Sequence, residues 1–156
     1  MIRTLCEADL DWALALNASL DVELSPLTRQ GLADIVGAAF YARLAEPERG
    51  LLIAFDQDAD YRSPNFLWFK ARFSRFVYVD RVAVAEAARG QGVARRLYDD
   101  LFAAARDAGH DRIACEVNVD PPNPASDAFH ARFGFSEIGR AELAGGKMVR
   151  YLTTIL

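Results

Sequence analysis

A β-prone run, a glycine-containing turn and an amphipathic helix follow one another in the second half of the chain, and this order constrains the fold most. Residues 76–84 are rich in β-branched and aromatic side chains and predict a long strand. Residues 92–108 carry apolar side chains at helical spacing, and residues 112–119 predict another strand. A strand–helix–strand unit of this kind forms a right-handed crossover between parallel strands.

The remaining segments predict five more strands and several helices around that unit. Ser25 and Pro26 are typical of a helix cap and a first helical residue, and Gly145-Gly146 predicts a turn between the last two strands. Because that terminal hairpin is antiparallel, the sequence predicts an α+β fold with a mixed sheet of about seven strands. The additional strands are expected at residues 2–5, 38–44, 50–56, 135–143 and 147–156, and the helices at residues 8–20, 25–37 and 123–133.

Composition narrows the class of protein. The chain has 156 residues, 52% of them apolar, which is enough to form the core of one domain over residues 1–156. The net charge of −4 argues against a general nucleic-acid binder. Two distant cysteines indicate a reducing compartment, and no apolar run reaches the roughly 18–20 residues of a membrane span. We therefore expect a cytoplasmic protein with neither nucleic-acid nor membrane partners.

The turn at residues 89–94 has the features of an anion site. Gly90 and Gly92 allow the backbone to turn tightly and approach a ligand closely. The amides of the first helical turn and the helix dipole then favour a phosphate or pyrophosphate. The pattern lacks the lysine of a P-loop and the third glycine of a dinucleotide fingerprint. The alternative is that the two glycines only shape a connection between strand and helix.

Three segments together resemble the GNAT superfamily of N-acetyltransferases. Residues 89–94 match its Arg/Gln-x-x-Gly-x-Gly/Ala signature, and residues 78–84 look like its fourth strand. Residues 123–125 followed by 129–135 are similar to its Asn … Tyr-x-x-x-Gly-Phe segment. The close similarity covers residues 76–139. It implies a mostly antiparallel sheet with helices on both faces, in which the parallel strands 4 and 5 splay apart.

The resemblance also implies a co-substrate, acetyl-CoA, or its product coenzyme A, bound in the gap between the splayed strands. The pantetheine arm would bind the backbone at the end of the fourth strand, and Asn123 would contact the same arm. The turn would bind the pyrophosphate. The implied cofactor-binding residues are Val82, Ala83, Val84, Arg89, Gly90, Gln91, Gly92, Val93, Ala94 and Asn123.

Attack of an amine on a thioester calls for a base and for a donor to the leaving thiolate. His130 stands where many family members have a tyrosine, and imidazole could serve as that donor; the alternative is a packing histidine. Glu116 interrupts a buried strand and is a candidate base; the alternative is an ion pair with Arg81. Asp80 is the rival base, and water is a third option.

The other titratable side chains suggest no chemistry of their own. Cys115 is expected to be a buried structural thiol and His110 to be exposed. With two distant histidines and no cysteine–histidine cluster, the sequence predicts no metal site.

The acceptor side is less well specified. Family members bind the acceptor with the first two helices, the loop between them and the last hairpin. Acidic residues in that loop, Asp21 and Glu23 beside Ser25, would suit a cationic amine. The aromatic-rich residues 56–75 are expected to cover the acceptor site, to form a lid or to make a homodimer contact. Two other functions stay open: a non-catalytic acyl-CoA-binding or sensory module, and a structural protein with a degenerate site.

Overall fold

The fold is a mixed seven-stranded sheet with helices on both faces, as predicted. The computed structural model describes residues 1–20 and 24–156. The spatial order of the strands is β1-β2-β3-β4-β5-β7-β6, and β4 and β5 are the parallel pair. The strands are β1 (Ile2–Thr4), β2 (Tyr41–Ala45), β3 (Gly50–Asp56), β4 (Val77–Val84), β5 (Arg112–Asp120), β6 (Ser136–Glu142) and β7 (Met148–Ile155).

Five α-helices connect the strands within the described residues. Two begin within one residue of the predicted start: Gly92 precedes α4, and Asn123 precedes α5, where its side chain accepts from the backbone N–H of Ser126. The helices are α1 (Leu10–Ser19), α2 (Arg29–Ala38), α3 (Pro64–Lys70), α4 (Val93–Asp107) and α5 (Pro124–Arg132). Among residues 1–20 and 24–156, none of the helices is long and apolar enough to cross a membrane.

The predicted start of the second helix is wrong by one turn. Thr28, not Ser25, caps α2, and its hydroxyl accepts from the Gly31 N–H at 3.0 Å. The Ser25 carbonyl instead accepts from the Asn17 amide at 3.0 Å, which ties the connection to α1. The helix also runs to Ala38, so β2 starts at Tyr41 rather than at residue 38.

The core has two layers, one on each face of the sheet. On one face, α1, α2 and α3 cover the sheet with buried residues such as Leu16, Leu32 and Phe66. On the other face, α4 packs Leu97 and Leu101 against the strands, with α5 beside it. We call these the α1 face and the α4 face.

A β-bulge in β4 separates the two parallel strands. Ile53 of β3 pairs with Arg81, and the next residue pairs with Val79, which leaves Asp80 without a partner on β3. The register between β4 and β5 consists of two pairs, Val77 with Ile113 and Tyr78 with Ala114. Because a bulge bends its strand and increases the local twist, β4 turns away from β5 beyond Tyr78. The gap that opens is the splay the resemblance implied.

Residues 56–75 include a short helix that belongs to the core. Pro64 occupies the first turn of α3, where a missing N–H costs nothing. Phe66 and Phe69 are fully buried, and Trp68 stacks on Tyr151 with ring centroids 4.1 Å apart. The helix is therefore a packed part of the α1 face rather than a loosely attached lid.

Candidate functional site

The gap between β4 and β5 contains a cavity of about 930 Å³. Because the strands are apart here, side chains from both faces of the sheet reach the same space. Tyr78 and Glu116 enter from the α1 face, and Tyr98 and His130 from the α4 face. The bulge thus brings together residues that a continuous sheet would separate.

A second cavity of about 840 Å³ adjoins the first at the start of α4. Gly90 and Gly92 both have left-handed backbone, with φ of 77° and 75°, a region that disfavours other residues. A side chain added to either glycine would meet nothing within 4 Å, so the backbone faces open space. Arg89, Arg95 and Arg132 line this cavity and add positive charge. The donors and charges present fit a pyrophosphate.

The turn is braced from outside by a polar contact. The Arg49 guanidinium donates to the Gln91 side chain at 2.7 Å, and the Gln91 amide donates to the Ala87 carbonyl at 3.2 Å. Gln91 is thereby directed away from the first cavity. Its side chain helps hold the turn, while the turn's amides remain available to a ligand.

The predicted arm-binding residues lie between the two cavities. Val82 and Val84 line the larger cavity, as does Asn123, and Val84 also lines the smaller one. Ala83 has its side chain buried on the α1 face. Asn123 accepts from the Ser126 N–H at 3.3 Å, so it caps α5 while facing the cavity. Beyond Tyr78, the edge of β4 that faces β5 pairs with no strand among the described residues, so its backbone groups can bind a ligand.

Glu116 is a partly buried residue whose carboxyl group lines the cavity between β4 and β5. Its Oε2 accepts from the Tyr78 hydroxyl at 2.7 Å, and it takes part in no salt bridge among the described residues. Burial raises the pKa of Glu116 to about 7, against the lowering effect of the Tyr78 hydrogen bond. The alternative ion pair with Arg81 is wrong, because Arg81 pairs with Asp80 instead.

Asp80 has both oxygens engaged. Oδ2 lies 2.7 Å from Arg81 Nε, and Oδ1 accepts from the Tyr61 hydroxyl at 2.6 Å. Arg81 also donates to the Asn17 side chain at 2.8 Å. The side chains of Asp80 and Arg81 are 5% and 6% exposed, so this is a buried pair. Its geometry ties the bulge to α1 and to residues 56–75.

The hydrogen bonds of His130 define one tautomer of a neutral imidazole. Nδ1 lies 2.7 Å from the Ser126 carbonyl, which only accepts, so Nδ1 carries the hydrogen. Nε2 must then accept from the Tyr98 hydroxyl at 3.0 Å. Burial lowers the pKa of His130, which favours the neutral ring. In this arrangement His130 has no Nε2 hydrogen to give to a substrate.

Sequence reasoning missed Tyr98 and misplaced His110. Tyr98 lies on the apolar side of α4, where an aromatic residue is typical of core packing, and nothing in the sequence indicates its contact with His130. His110 was expected to be exposed, which is wrong: it is 6% exposed and packs edge-on against Phe40. Cys115 is buried, as expected.

The part of the cavity that the resemblance assigns to the acceptor, called the acceptor end below, is lined by residues 61–65, by Ile35 of α2 and by the last hairpin. Arg62, Asn65 and Lys147 contribute polar groups, and Ser25 lies among them. Asp21 and Glu23, the acidic residues expected to attract a cationic amine, lie outside the described residues. No group of three or more His, Cys, Asp or Glu side chains suited to a metal is found in residues 1–20 and 24–156.

The fold is that of acetyltransferases with a splayed parallel strand pair. Ribosomal-protein-alanine N-acetyltransferase from Brucella melitensis superposes with a TM-score of 0.75 and 24% identity, covering 100% of this chain and 99% of that one. A chain from the structure of the NatC complex bound to Gag peptide and CoA gives a TM-score of 0.72 at 16% identity, covering 100% and 98%. At these identities the likeness shows the fold alone.

The acetyltransferase (GNAT) family model matches residues 34–135, and the chain belongs to that family. Within it, the chain is 40% identical over 70 residues to phosphinothricin N-acetyltransferase from Streptomyces coelicolor (strain ATCC BAA-471 / A3(2) / M145). The match covers 45% of this chain and 40% of the relative's length.

The raised pKa of Glu116 predicts a specific pH dependence of stability. The native carboxyl group holds its proton up to about pH 7, against a reference pKa of 4.5. The contribution of this group to the free energy of unfolding is therefore complete below pH 4.5 and is lost as the pH rises through 7. Glu116→Gln removes this loss, so from pH 5 to pH 8 the variant should gain about 1–3 kcal/mol in free energy of unfolding relative to wild type.

Urea unfolding at pH 5, 6, 7 and 8 measures this difference. Glu142→Gln, at an exposed position on β6, is the matched control and should track wild type. A difference between Glu116→Gln and wild type that stays constant across the four pH values would contradict the raised pKa.

Proposed function

We propose that the protein is an N-acetyltransferase that transfers the acetyl group of acetyl-CoA to a primary amine by direct attack in a ternary complex. The observation that carries the proposal is the carboxyl group of Glu116, which lines the cavity between the splayed strands, accepts from the Tyr78 hydroxyl and has no cationic partner among the described residues. That cavity adjoins a turn of the kind that binds pyrophosphate. Membership of the acetyltransferase family supports the same reading.

The co-substrate is proposed to span the two cavities. Residues 89–94 would hold the pyrophosphate through backbone amides, with Arg89 close by. Backbone groups of Val82, Ala83 and Val84 would pair with the pantetheine arm, and Asn123 would contact it from the α5 side. The reactive thioester would then lie between β4 and β5.

Glu116 is proposed as the general base. A base works best when its pKa is near the working pH, and burial raises the pKa of Glu116 to about 7. Asp80 stands second because Arg81 and Tyr61 already engage both of its oxygens. Water remains the third candidate, and the experiment below separates Glu116 from the other two.

The leaving thiolate is proposed to be stabilised by Tyr98, with His130 as its positioning residue. A thiol has a pKa of about 8.5, so the proton taken up by Glu116 can pass to the thiolate downhill. Tyr98 cannot supply that proton, because burial raises its pKa well above 10. Its hydroxyl can still donate a hydrogen bond, and the bond to His130 Nε2 holds it beside the cavity. To reach the thiolate, the Tyr98 hydroxyl would give up its hydrogen bond to His130, and the charge-assisted hydrogen bond to sulfur would offset that loss.

The acceptor is proposed to be a small amine that carries an anionic group. Arg62 and Lys147 place two cations at the acceptor end of the cavity, and Leu24 and Leu143 provide apolar walls. The related enzyme from Streptomyces coelicolor is named for phosphinothricin. A protein amino group is the second candidate acceptor and enters the test below.

Release of the CoA thiol from acetyl-CoA tests the activity directly. The acceptors are amino acids, phosphinothricin, uncharged alkylamines and a peptide with a free N-terminus, assayed from pH 5.5 to 9. We expect anionic amines to accelerate release most, with a rate that rises through a pKa near 7. Glu116→Gln should lower the rate at least about tenfold, because a general base typically contributes about a hundredfold or more. The variant should also flatten the pH–rate profile.

The outcomes separate the competing functions. If acetyl-CoA binds in calorimetry and no amine accelerates thiol release, the protein is an acyl-CoA-binding module. If acetyl-CoA does not bind at millimolar concentration, the site is degenerate. An active Glu116→Gln variant with an unchanged profile transfers the role of base to Asp80 or to water.

The turn generates a prediction for co-substrate affinity. Gly92→Ala imposes only the strain of the left-handed backbone, whereas Gly92→Asp adds a negative charge where the pyrophosphate would bind. We expect Gly92→Asp to weaken CoA binding at least about tenfold more than Gly92→Ala, equivalent to about 1.4 kcal/mol. Isothermal titration calorimetry measures both. Equal affinities for the two variants would argue against a pyrophosphate at this turn.

The contact between His130 and Tyr98 predicts that the two residues act as a unit. His130→Phe and Tyr98→Phe should each lower kcat about tenfold while the Kd for CoA changes less than about threefold, and the double variant should be no worse than either single variant. Tyr41 lies on β2, and its buried hydroxyl donates to Asp100 on α4, the helix that also carries Tyr98. Because this hydroxyl lies away from the cavity, Tyr41→Phe should keep full kcat. Additive losses in the double variant would show that the residues act separately.

A further inference from the structure

A buried asparagine on α1 joins the ion pair of the bulge to the connection between α1 and α2. Asn17 is 4% exposed, although asparagine is mostly found at the surface. Its Oδ1 accepts from Arg81 Nη1 at 2.8 Å, and its Nδ2 donates to the Ser25 carbonyl at 3.0 Å. Because a guanidinium only donates and a carbonyl only accepts, these two partners allow one orientation of the amide. Both ends of the Asn17 side chain are therefore engaged.

The Ser25 carbonyl belongs to a backbone stretch that lines the larger cavity. Leu24 and Ser25 both contribute to that lining, and the Leu24 N–H donates to the Leu20 carbonyl at 2.8 Å, at the end of α1. The carbonyl of Ser25 also lies 3.5 Å from Arg81 Nη1, a distance at which a hydrogen bond is weak. Among the described residues, Asn17 is therefore the main polar contact that holds this part of the cavity wall.

Arg81 has a fixed position of its own. Its Nε lies 2.7 Å from Asp80 Oδ2, and the other oxygen of Asp80 accepts from the Tyr61 hydroxyl at 2.6 Å. A continuous chain of polar contacts thus runs from Tyr61 through Asp80, Arg81 and Asn17 to Ser25. Both ends of this chain line the cavity, so it joins two segments of the acceptor end to the bulge that opens the site.

We propose that Asn17 is a positioning residue for the acceptor: it holds the Ser25 carbonyl, and with it this wall of the acceptor end, in a fixed place relative to Arg81. The inference rests on the proposed function in taking this end of the cavity to receive the amine. Asn17 is not among the described residues that line either cavity. Its effect therefore reaches the acceptor through the backbone of Ser25, and acceptor affinity should change rather than the chemical step.

A purely structural role for Asn17 predicts a different result. Loss of a buried hydrogen bond lowers the free energy of unfolding wherever the bond lies, and it leaves the acceptor affinity of the folded protein unchanged. Thr28→Ala supplies the comparison. It removes the cap of α2, which follows the same connection, and it leaves the Ser25 carbonyl untouched.

The test compares Asn17→Asp, Asn17→Leu and Thr28→Ala with the fastest amine of the acceptor panel. Asn17→Asp still accepts from Arg81 but turns a carboxylate oxygen towards the Ser25 carbonyl, and the two oxygens repel each other. We expect the acceptor KM to rise about tenfold, with kcat and the Kd for CoA within about threefold of wild type. Asn17→Leu should raise KM less, because Arg81 can take over the Ser25 carbonyl. Thr28→Ala should keep the wild-type KM.

Hydrogen exchange of the Leu24 amide, followed by NMR, reports the wall without turnover. Its bond to the Leu20 carbonyl lies next to Ser25, so local opening of this stretch exposes the amide to solvent. We expect the amide to exchange about tenfold faster in Asn17→Asp than in Thr28→Ala, the factor that one lost hydrogen bond accounts for.

Several results would overturn the proposal. These are an unchanged acceptor KM in Asn17→Asp, a fall in kcat at constant KM, an equal rise of KM in Thr28→Ala, or equal exchange rates at Leu24. If urea unfolding shows that Asn17→Asp does not fold, Asn17→Leu carries the same test with the smaller rise.

Failure of the enzymatic function gives a separate result. If wild type acetylates no amine, calorimetric binding of phosphinothricin to the CoA complex replaces KM. Weaker binding to Asn17→Asp than to Thr28→Ala would then support the positioning role in a protein without turnover. No binding to wild type would overturn the acceptor role together with the enzymatic function.

Discussion

One backbone irregularity, the bulge at Asp80, underlies the arrangement of the whole site. Asp80 adds a residue to β4 that has no partner on β3, and the parallel pairing with β5 ends after Tyr78. Without this interruption, β4 and β5 would continue to pair, and the sheet would separate Glu116 from Tyr98. The bulge carries a buried aspartate, whose charge is compensated by Arg81 and by the Tyr61 hydroxyl. The ion pair therefore stabilises the distortion that opens the cavity.

Two carboxylates on the same face of the sheet thus have different environments. Asp80 has a guanidinium partner and a hydroxyl donor, so both of its oxygens have partners in a buried position. Glu116 accepts from the Tyr78 hydroxyl and has no cationic partner among the described residues, and burial raises its pKa to about 7. When two carboxyl groups of one site have such different surroundings, they commonly take different roles. The less stabilised carboxylate is the one suited to exchange a proton.

Much of the fold could be predicted because its signals are local. The run of β-branched residues at 77–84, the helical spacing of α4 and the glycines at 90 and 92 each report their own backbone geometry. Where two local signals compete, prediction failed: Ser25 and Thr28 are both good caps, and only the tertiary contact from Asn17 to the Ser25 carbonyl decides between them. The sequence also could not show the bulge, because β-propensity does not report how neighbouring strands pair.

The chemistry of the site depends on contacts between residues far apart in the chain, and this limits what sequence can predict. Glu116 could be predicted as a candidate base because it is an acidic residue within an apolar strand. His130 could be predicted as a candidate donor because it stands at the family's tyrosine position. Their partners could not, because Tyr78 and Tyr98 are aromatic residues of the kind found at ordinary core positions. Yet these contacts determine the outcome. The Ser126 carbonyl holds the His130 hydrogen on Nδ1, so Nε2 accepts from Tyr98, and the Tyr78 hydrogen bond counters the effect of burial on the pKa of Glu116. A residue's chemical role in this site follows from which hydrogen bonds its neighbours leave free.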